Sequence, residues 1–543
     1  MNKANNRLNE ARNFQPITVA NDRATFIASA GQKGSAAFDR PKLLELSRMP
    51  VIDKESLEMI QIFKLHEAVD YSISATGAAV LLRSLIHPST DLDYIESKQE
   101  SLSEIASKDN LRQALEDFVR EFVKGESALY KFFNKDLVAL FPYLDLRRAK
   151  KAAVNITRAM QSVPRVESAY LRALLCALDS YKGSPIDQMM NGSIYQTFGG
   201  LKSGKEIGRF TPKLKFIPRR FSRWILAGPA VAAMPYLSAK LGLAHGLSPL
   251  LTHIGLVWTG AYVFYGLFVK PVRDTGKFIE PFRARSVHDG AFSRMIDAVG
   301  MIDELLSLHR FARELPHDTV LPKITDERHH FFEATGLTNP VLACSSADFV
   351  PNNVTLNGVR LTFISGPNSG GKTTLCKSIV HNQLLAQMGS YVLAQKAAIN
   401  IADRIFYQAP KFDGLQDEEG RFGTELSRTR DIFYATSPKS LVILDELAEG
   451  TTYEERLHES SGIMRDFYTI GNNTILVTHN HGLVDEFMQL KKGQGLMVEF
   501  NGEEPTYRIT PGISRVSHAH RIAAKIKFSS EHRQHYLRAK GYL

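Results

Sequence analysis

The sequence predicts an α/β domain built around a phosphate-binding loop in its C-terminal part, an all-α helical core ahead of it, and a transmembrane helical hairpin inserted between the two. Three observations predict this. An apolar strand at 361–364 runs into a glycine-rich loop and then a helix, and a second apolar strand at 441–444 ends in two carboxylates. Upstream, apolar residues return at helical spacing. Between these regions lie two consecutive apolar stretches, each flanked by Lys and Arg.

The chain has 543 residues, 44% of them hydrophobic and 23% charged. This is a globular composition, long enough for several domains, and it excludes a disordered or collagen-like chain. Its three cysteines (Cys176, Cys344 and Cys376) are far apart, which excludes a disulfide scaffold and a Cys-based zinc module and fits a reducing compartment. The formal charge of +10 points to an anionic partner, either nucleic acid or a membrane surface. The first residues, MNKANNRLNEARNFQP, contain no apolar core, so no cleavable signal peptide is expected.

Residues 1–50 read as a polar lead and 51–200 as the helical core. Within the core, Leu111, Leu115, Phe118, Val119, Phe122 and Val123 mark one amphipathic face. Next comes the basic-flanked hairpin, 201–285. Residues 202–223 carry eight Lys/Arg against one acid, Glu206, and residues 270–285 carry five against two. Between them, 224–243 has one charge, Lys240, and 249–269 has none. A run of ~20 apolar residues crosses ~30 Å of hydrocarbon. The short link at 244–248 makes the pair a hairpin with both ends on one side, and the basic flanks place both soluble parts in the cytoplasm. The expected location is a membrane, the inner one if the source is bacterial. The flanks 202–223 and 270–285 are then expected against anionic lipid headgroups. The competing reading is a buried helical hairpin of a soluble protein.

Residues 286–340 return the chain by a helix at 295–313 into the α/β domain, 341–510. Here Leu361–Ile364 reads as a buried strand. Gly366, Pro367, Asn368, Ser369, Gly370, Gly371, Lys372, Thr373 and Thr374 fit G-x-x-x-x-G-K-[ST]. The glycines let backbone N–H groups wrap phosphates, Lys372 can reach the β- and γ-phosphates, and the Thr373 hydroxyl can ligate Mg²⁺. The helix that follows presents its N-terminus to the phosphates. Leu441–Leu444 delivers Asp445, a second Mg²⁺ residue, and Glu446, which would orient or deprotonate the attacking water. A third apolar run, Thr474–Val477, ends at Thr478 and His479, where His479 could contact the γ-phosphate. His479 and His481 have metal-ligand spacing, but no Cys, Asp or Glu lies near enough in sequence to complete a site. Strands alternating with helices predict a mostly parallel sheet covered on both faces. An Asn501-Gly502 turn between 495–500 and 506–509 predicts a closing β-hairpin. The tail, 511–543, is basic: it could contact DNA, lipid or a partner subunit, or form a solvated helix.

Together these residues resemble the MutS family of mismatch-repair ATPases, itself akin to ABC-type P-loop NTPases. The resemblance rests on Asp348-Phe-Val-Pro-Asn-Asn353, Ile364-Ser-Gly-Pro-Asn-Ser-Gly-Gly-Lys-Thr-Thr374 and Leu385-Ala-Gln-Met-Gly-Ser-Tyr-Val-Leu-Ala394. It continues through Ile401-Ala-Asp-Arg-Ile-Phe406, Asp445-Glu-Leu-Ala-Glu-Gly-Thr-Thr452 and Thr478-His479. Upstream, Thr76–Leu85 and Pro88–Gln99 look like the start of the MutS helical core, and Asp303 and Leu306 stand at familiar places on the returning helix. The resemblance implies ATP and Mg²⁺ as cofactors, Phe349 among the nucleotide contacts, Lys372, Glu446 and His479 as catalytic residues, a head-to-head homodimer and action on DNA.

Three departures accompany it. Nothing before residue 60 matches a mismatch-recognition domain or its Phe-x-Glu wedge. The place of the DNA-gripping clamp holds the apolar hairpin. Aligning Phe422 and Glu425 with the family's Ser-Thr-Phe signature puts Gly420 and Arg421 where the contact across the dimer is made. No nuclease module is expected after 524. The function expected is therefore a membrane-anchored MutS-like ATPase, a dimeric switch acting on DNA without true mismatch reading. The alternative is an ATP-driven membrane-remodelling or signalling switch with no nucleic-acid substrate. An ABC transporter is disfavoured because the Leu-Ser-Gly-Gly-Gln run is missing.

Overall fold

A computed structural model describes residues 50–133, 142–240, 248–344, 349–367, 370–410, 420–447, 452–502, 504–514 and 526–542. The first described residues lie at the edge of the α/β domain. Ile52 bridges Ile405 in parallel, and α1 (Lys54–Met59) is capped by Asp53, which accepts from the Ser56 amide at 2.9 Å. Arg428 clamps this segment through Asp53 and Glu55.

The helical core follows as α2 (Ile62–Val69), α3 (Ala75–Ile86), α4 (Leu92–Ser107), α5 (Asp109–Phe133), α6 (Pro142–Ala159), α7 (Ala169–Tyr181) and α8 (Pro185–Asn191). The amphipathic face expected on α5 is the packed one: Leu111, Leu115, Phe118, Val119 and Phe122 are buried, and Val123 packs against them. The start of α7 depends on α4. Glu104 accepts from the Glu167 and Ser168 amides, each at 2.8 Å, which satisfies helix-end N–H groups that otherwise lack partners. Burial opposes the Glu104 charge. Hydrogen bonds from the Ser168 hydroxyl, those two amides and Lys108 outweigh it and hold the carboxyl down to about 2.

A lowered carboxyl stabilises the fold at pH values above its unfolded value, and that stability is lost as pH falls through the folded value. Glu104→Gln is expected to cost about 2 kcal/mol near neutral pH, allowing for solvent screening. The difference from wild type should shrink between pH 4.5 and about 2. Urea unfolding across that range checks it, and a pH-independent difference would rule out the charge as the cause.

A small antiparallel sheet comes next, β1 (Ile194–Thr197), β2 (Gly200–Ser203) and β3 (Leu214–Lys215), in the order β2-β1-β3. The apolar region follows. Helix α9 (Ala227–Lys240) is joined to a preceding 3₁₀ turn, Arg223–Leu226. Helix α10 (Ser248–Phe264) runs on through a π-helical turn at Tyr265–Val269, α11 (Lys270–Asp274), a second π turn at Thr275–Ile279 and α12 (Glu280–His288). Leu250–Ser286 is long and apolar enough to cross a membrane. The first expected span, 224–243, differs. Its apolar helical stretch Trp224–Ser238 gives only about 22 Å at 1.5 Å per residue, short of a crossing, and 241–247 lie outside the described residues.

The two helices meet at glycines. A Cβ on Gly255 would sit 2.6 Å from the Gly228 carbonyl oxygen, so the backbones touch directly. Their outer faces expose Trp224, Tyr236, Val257, Phe264 and Phe268. This exposure counts against the reading of a hairpin buried in a soluble core.

The return helix α13 (Gly290–Glu314) is almost wholly buried and packs along α3 and α7. Its Asp303 accepts from the Ser74 amide at 2.7 Å and the Ser74 hydroxyl at 2.6 Å at the start of α3, where Glu126 takes the Thr76 amide at 2.8 Å. A Cβ on Gly77 would collide with Asp303, so α3 and α13 approach only because glycine stands there. Lys98 and Glu304, both fully buried, pair at 2.9 Å between α4 and α13.

The remaining elements are β4 (Lys323–Thr325), β5 (Phe332–Leu337), α14 (Pro340–Ala343), β6 (Asn352–Thr355), β7 (Leu361–Ser365), α15 (Lys372–Gln387), β8 (Lys396–Asn400) and β9 (Ile405–Gln408). After these come α16 (Gly420–Ala435), β10 (Leu441–Asp445), α17 (Tyr453–Ile470), β11 (Asn473–Val477), α18 (His481–Gln489), β12 (Gln494–Asn501), β13 (Glu504–Pro511) and α19 (Ser530–Ala539). Six strands form one sheet in the order β13-β12-β7-β11-β10-β9, and β4-β8-β5-β6 form a second. All neighbours in the larger sheet are parallel except the β12–β13 hairpin, which carries a bulge between Val498 and Phe500. Period-2 alternation divides its side chains. Leu441, Ile443, Ile475 and Val477 face the cluster with Ile379 and Val380 of α15. Val442, Leu444 and Leu476 face Ile432, Met464 and Phe487 from α16, α17 and α18. The sheet is thus covered on both faces, as the alternation of strands and helices predicts.

Candidate nucleotide site

The parallel order β7-β11-β10 brings three strand ends together, and each carries residues singled out in the sequence. From β7 the chain turns through Gly366 (φ 139°) and reaches Gly371 (φ 91°), the left-handed residue that starts α15. A Cβ on Gly370 would lie 2.9 Å from Val498, so the loop is seated on β12 by the absence of a side chain. Asn368 and Ser369 lie outside the described residues, as does Asp348. Lys372 is buried and curls back over the loop, its Nζ donating to the Gly366 carbonyl at 2.5 Å and the Pro367 carbonyl at 3.1 Å. Burial lowers its amine, with Asp445 and Glu446 pulling the other way.

The Thr373 hydroxyl donates to Asp445 Oδ2 at 2.8 Å, and the Tyr407 hydroxyl reaches the same oxygen at 3.4 Å. Burial raises the Asp445 carboxyl, against the hydrogen bond from Thr373 and the charge of Lys372. The neighbouring Glu446 sits at φ 70°, a conformation L-residues adopt only where surrounding contacts hold it. Its amide donates to the Val477 carbonyl at 2.9 Å, which fixes it at the junction of β10 and β11. Its carboxylate lies 3.9 Å from His479 Nε2. The Thr478 amide bonds the Ile364 carbonyl at 3.1 Å and ties the end of β11 to β7.

These residues border one cleft of about 550 Å³, lined by Gly370 to Leu375, Asp445, Glu446 and Val477 on one side and by Leu337, Leu342, Phe349, Val350 and Tyr507 on the other. Phe349 and Thr374 stand at the cleft as the resemblance implies. Gly420 and Arg421 form the first turn of α16.

Two residues at the site have no sequence signal. Tyr407 lies inside a core strand, and Tyr507 sits on the closing hairpin at φ 60°, its backbone carbonyl bonded by Asn352 at 3.1 Å. Only pairing of β12 with β7 carries Tyr507 to the loop. Among the described residues no cluster of three His, Cys, Asp or Glu could hold a metal ion. The hydroxyl of Thr373 and the carboxylate of Asp445 are instead a hard-oxygen pair, the donor chemistry Mg²⁺ takes when most of its shell is water and phosphate.

Residues 362–532 match the family of MutS domain V. This part of the chain is a MutS domain V. It is 27% identical over 460 residues to the DNA mismatch repair protein MutS of Synechococcus sp. (strain CC9311), which covers 77% of this chain and 49% of that protein. Over 188 residues it is 35% identical to the MutS of Haloquadratum walsbyi, covering 34% of this chain and 20% of the relative. The corresponding match in Myxococcus xanthus is 32% over 241 residues, 42% of this chain and 26% of the relative. The chain thus spans at most about half the length of these curated relatives.

The cleft is also connected to the helical core. Helix α15 leads from the loop to His381, whose Nε2 is 2.8 Å from the Ile60 carbonyl. At its far end Gln387 donates to the Ser89 carbonyl at 3.0 Å, just before α4. Gly389 then packs against Lys98, where a Cβ would meet the lysine at 3.0 Å.

Proposed function

We propose that this chain is a membrane-anchored, MutS-like P-loop ATPase, a dimeric switch that acts on DNA. The observation that supports it most is the convergence of Gly370, Gly371, Lys372, Thr373, Asp445 and Glu446 on one cleft, with His479 Nε2 3.9 Å from the Glu446 carboxylate. In this reading the loop amides and the α15 N-terminus cradle the ATP phosphates, and Lys372 turns from the loop carbonyls to the β- and γ-phosphates. Thr373 and Asp445 hold Mg²⁺, which supplies positive charge against the phosphate oxygens. Glu446 orients the attacking water and takes its proton, and His479 contacts the γ-phosphate. Gly420 and Arg421 face the partner's nucleotide in a head-to-head homodimer. Closure and opening of that dimer pass along α15 to α4 and α13 and so to the hairpin.

DNA as the substrate follows from the names of the relatives. The anchor follows from the exposed apolar faces of α9 and α10. That same exposure favours a second reading, an ATP-driven membrane switch with no nucleic-acid substrate.

The test uses the full chain in detergent with homoduplex, mismatched, branched and single-stranded DNA, with and without ATP, across a salt series. An ATP-dependent preference for one structure is the expected result. Weak binding that salt erases for every probe alike would replace the DNA reading by the second one. Alkaline extraction of membranes holding the same chain tests the anchor: release into the supernatant would overturn it.

A further inference from the structure

A pocket of about 490 Å³ lies at the charged end of the apolar hairpin. One wall is α6, which presents Arg147 and Lys150, and the other is the segment from Lys215 to Arg219 that leads into α9. Among the described residues its lining holds four cations and no acid. We propose that this pocket binds the phosphate of an anionic phospholipid headgroup, whose acyl chains lie along α9 and α10.

Four observations support the assignment. First, the cations are placed by the fold. Among the described residues, Lys150 Nζ donates to the Gly192 carbonyl at 2.7 Å, which leaves two of its three donors for a ligand, and Arg147 donates through Nε, toward the Tyr143 carbonyl at 3.2 Å. Second, Lys150 is half-buried, and burial lowers its amine to about 8, a cost that a bound anion would offset.

Third, the pocket is tied to the hairpin. Lys270 donates to the Arg219 carbonyl, the Tyr143 hydroxyl bonds Asp274 Oδ2 at 2.8 Å, and Phe216 stacks on Phe278 with centroids 4.6 Å apart. Fourth, the rim turns apolar toward the hairpin: Ile217 is exposed, and Trp224, five residues beyond Arg219, begins the run of exposed apolar side chains. Basic pockets beside membrane helices suit phosphorylated headgroups, and tryptophan suits the boundary between headgroups and chains. A concave pocket closed by α6 favours a single headgroup over the backbone of a duplex.

The proposal rests on the membrane reading of the hairpin, but its test needs no bilayer. Full-length protein in non-ionic detergent is titrated with dioctanoyl phosphatidylglycerol, dioctanoyl phosphatidylcholine, inorganic phosphate and a short DNA duplex, with complexes counted by native mass spectrometry. Phosphatidylglycerol is expected to bind one site roughly thirtyfold more tightly than phosphatidylcholine, in keeping with two engaged cations. The pair R147Q/K150Q should bring that ratio close to one, and the exposed K215Q should lower it partway, a check that survives if the pair misfolds.

Equal binding of the two lipids overturns the proposal, as does a preference unchanged in both variants. Saturation by inorganic phosphate at the same concentration would make the site one for a free anion. Displacement of the lipid by the duplex would make it one for nucleic acid. Headgroup discrimination by a chain that alkaline treatment releases would keep this site and remove the anchor, so the two failures are distinct.

Discussion

Glu446→Gln is expected to lower ATP turnover by about 10²–10⁴-fold, the usual contribution of a positioned general base. The amide is isosteric but cannot take a proton from water. Nucleotide affinity should stay near wild type, because Glu446 reaches the cleft from the end of β10, while Gly370 to Leu375, at the start of α15, line the part that the proposed cycle gives to the phosphates. ATP should therefore remain bound and, in the proposed cycle, hold the dimer closed. The backbone at φ 70° is held by the amide bond to Val477, which the substitution does not touch, so the fold should survive. Single-turnover hydrolysis of radiolabelled ATP, beside size measurement with ATP present, checks both parts. Wild-type turnover would remove Glu446 from the role of base and move attention to His479, 3.9 Å away.

The second large effect is on binding. Lys372→Ala removes the buried ammonium at the start of α15 and should weaken ATP binding by at least about 30-fold, the low end for losing one partner of a desolvated charge contact. Two structural effects add to this. The lysine also ties the Gly366 and Pro367 carbonyls, so its loss loosens the loop as well as removing the charge. With the Thr373 hydrogen bond and the charge of Lys377 it also opposes the effect of burial at Asp445, so the carboxyl should be harder to ionise and Mg²⁺ harder to hold. Equilibrium titration with a fluorescent ATP analogue, at several Mg²⁺ concentrations, measures both. Unchanged affinity would place the phosphates elsewhere than the glycine loop.

Much of this site could be read from local sequence. Four apolar residues before Asp445 and Glu446 read as a buried strand, and the strand–loop–helix around Gly366 carries its conformation in its glycines. The face of α5 was legible for the same reason, since helical spacing is a property of neighbours along the chain. Tyr407 and Tyr507 were not: Tyr407 is one aromatic residue in a buried strand, indistinguishable from core, and Tyr507 is one aromatic residue in a polar, exposed hairpin strand. Nor was the shortfall of the first apolar segment: 224–243 has the composition of a crossing, and Pro235 lies inside its helix, but where the helix begins and ends depends on packing against α10 at Gly228 and Gly255. The role of Glu104 was equally hidden, since the amide it holds just before α7, that of Ser168, lies 64 residues further on.

What the amino-acid order settled, then, is the identity of the parts: a phosphate loop, two strand-end carboxylates, an apolar stretch between basic flanks and a family resemblance. Backbone conformation and hydrophobic periodicity are written in consecutive residues and need no partner to be recognised. What folding added is which parts meet. The order β7-β11-β10 skips along the chain, and it alone sets Thr373 against Asp445 and Glu446 beside His479. The same holds for Arg147, Lys150, Lys215 and Arg219: the last two lie in the basic flank legible in the sequence, but only folding brings α6 and the approach to α9 together around one pocket. Contacts between distant segments follow from the burial of whole faces, and no short stretch of sequence carries that information.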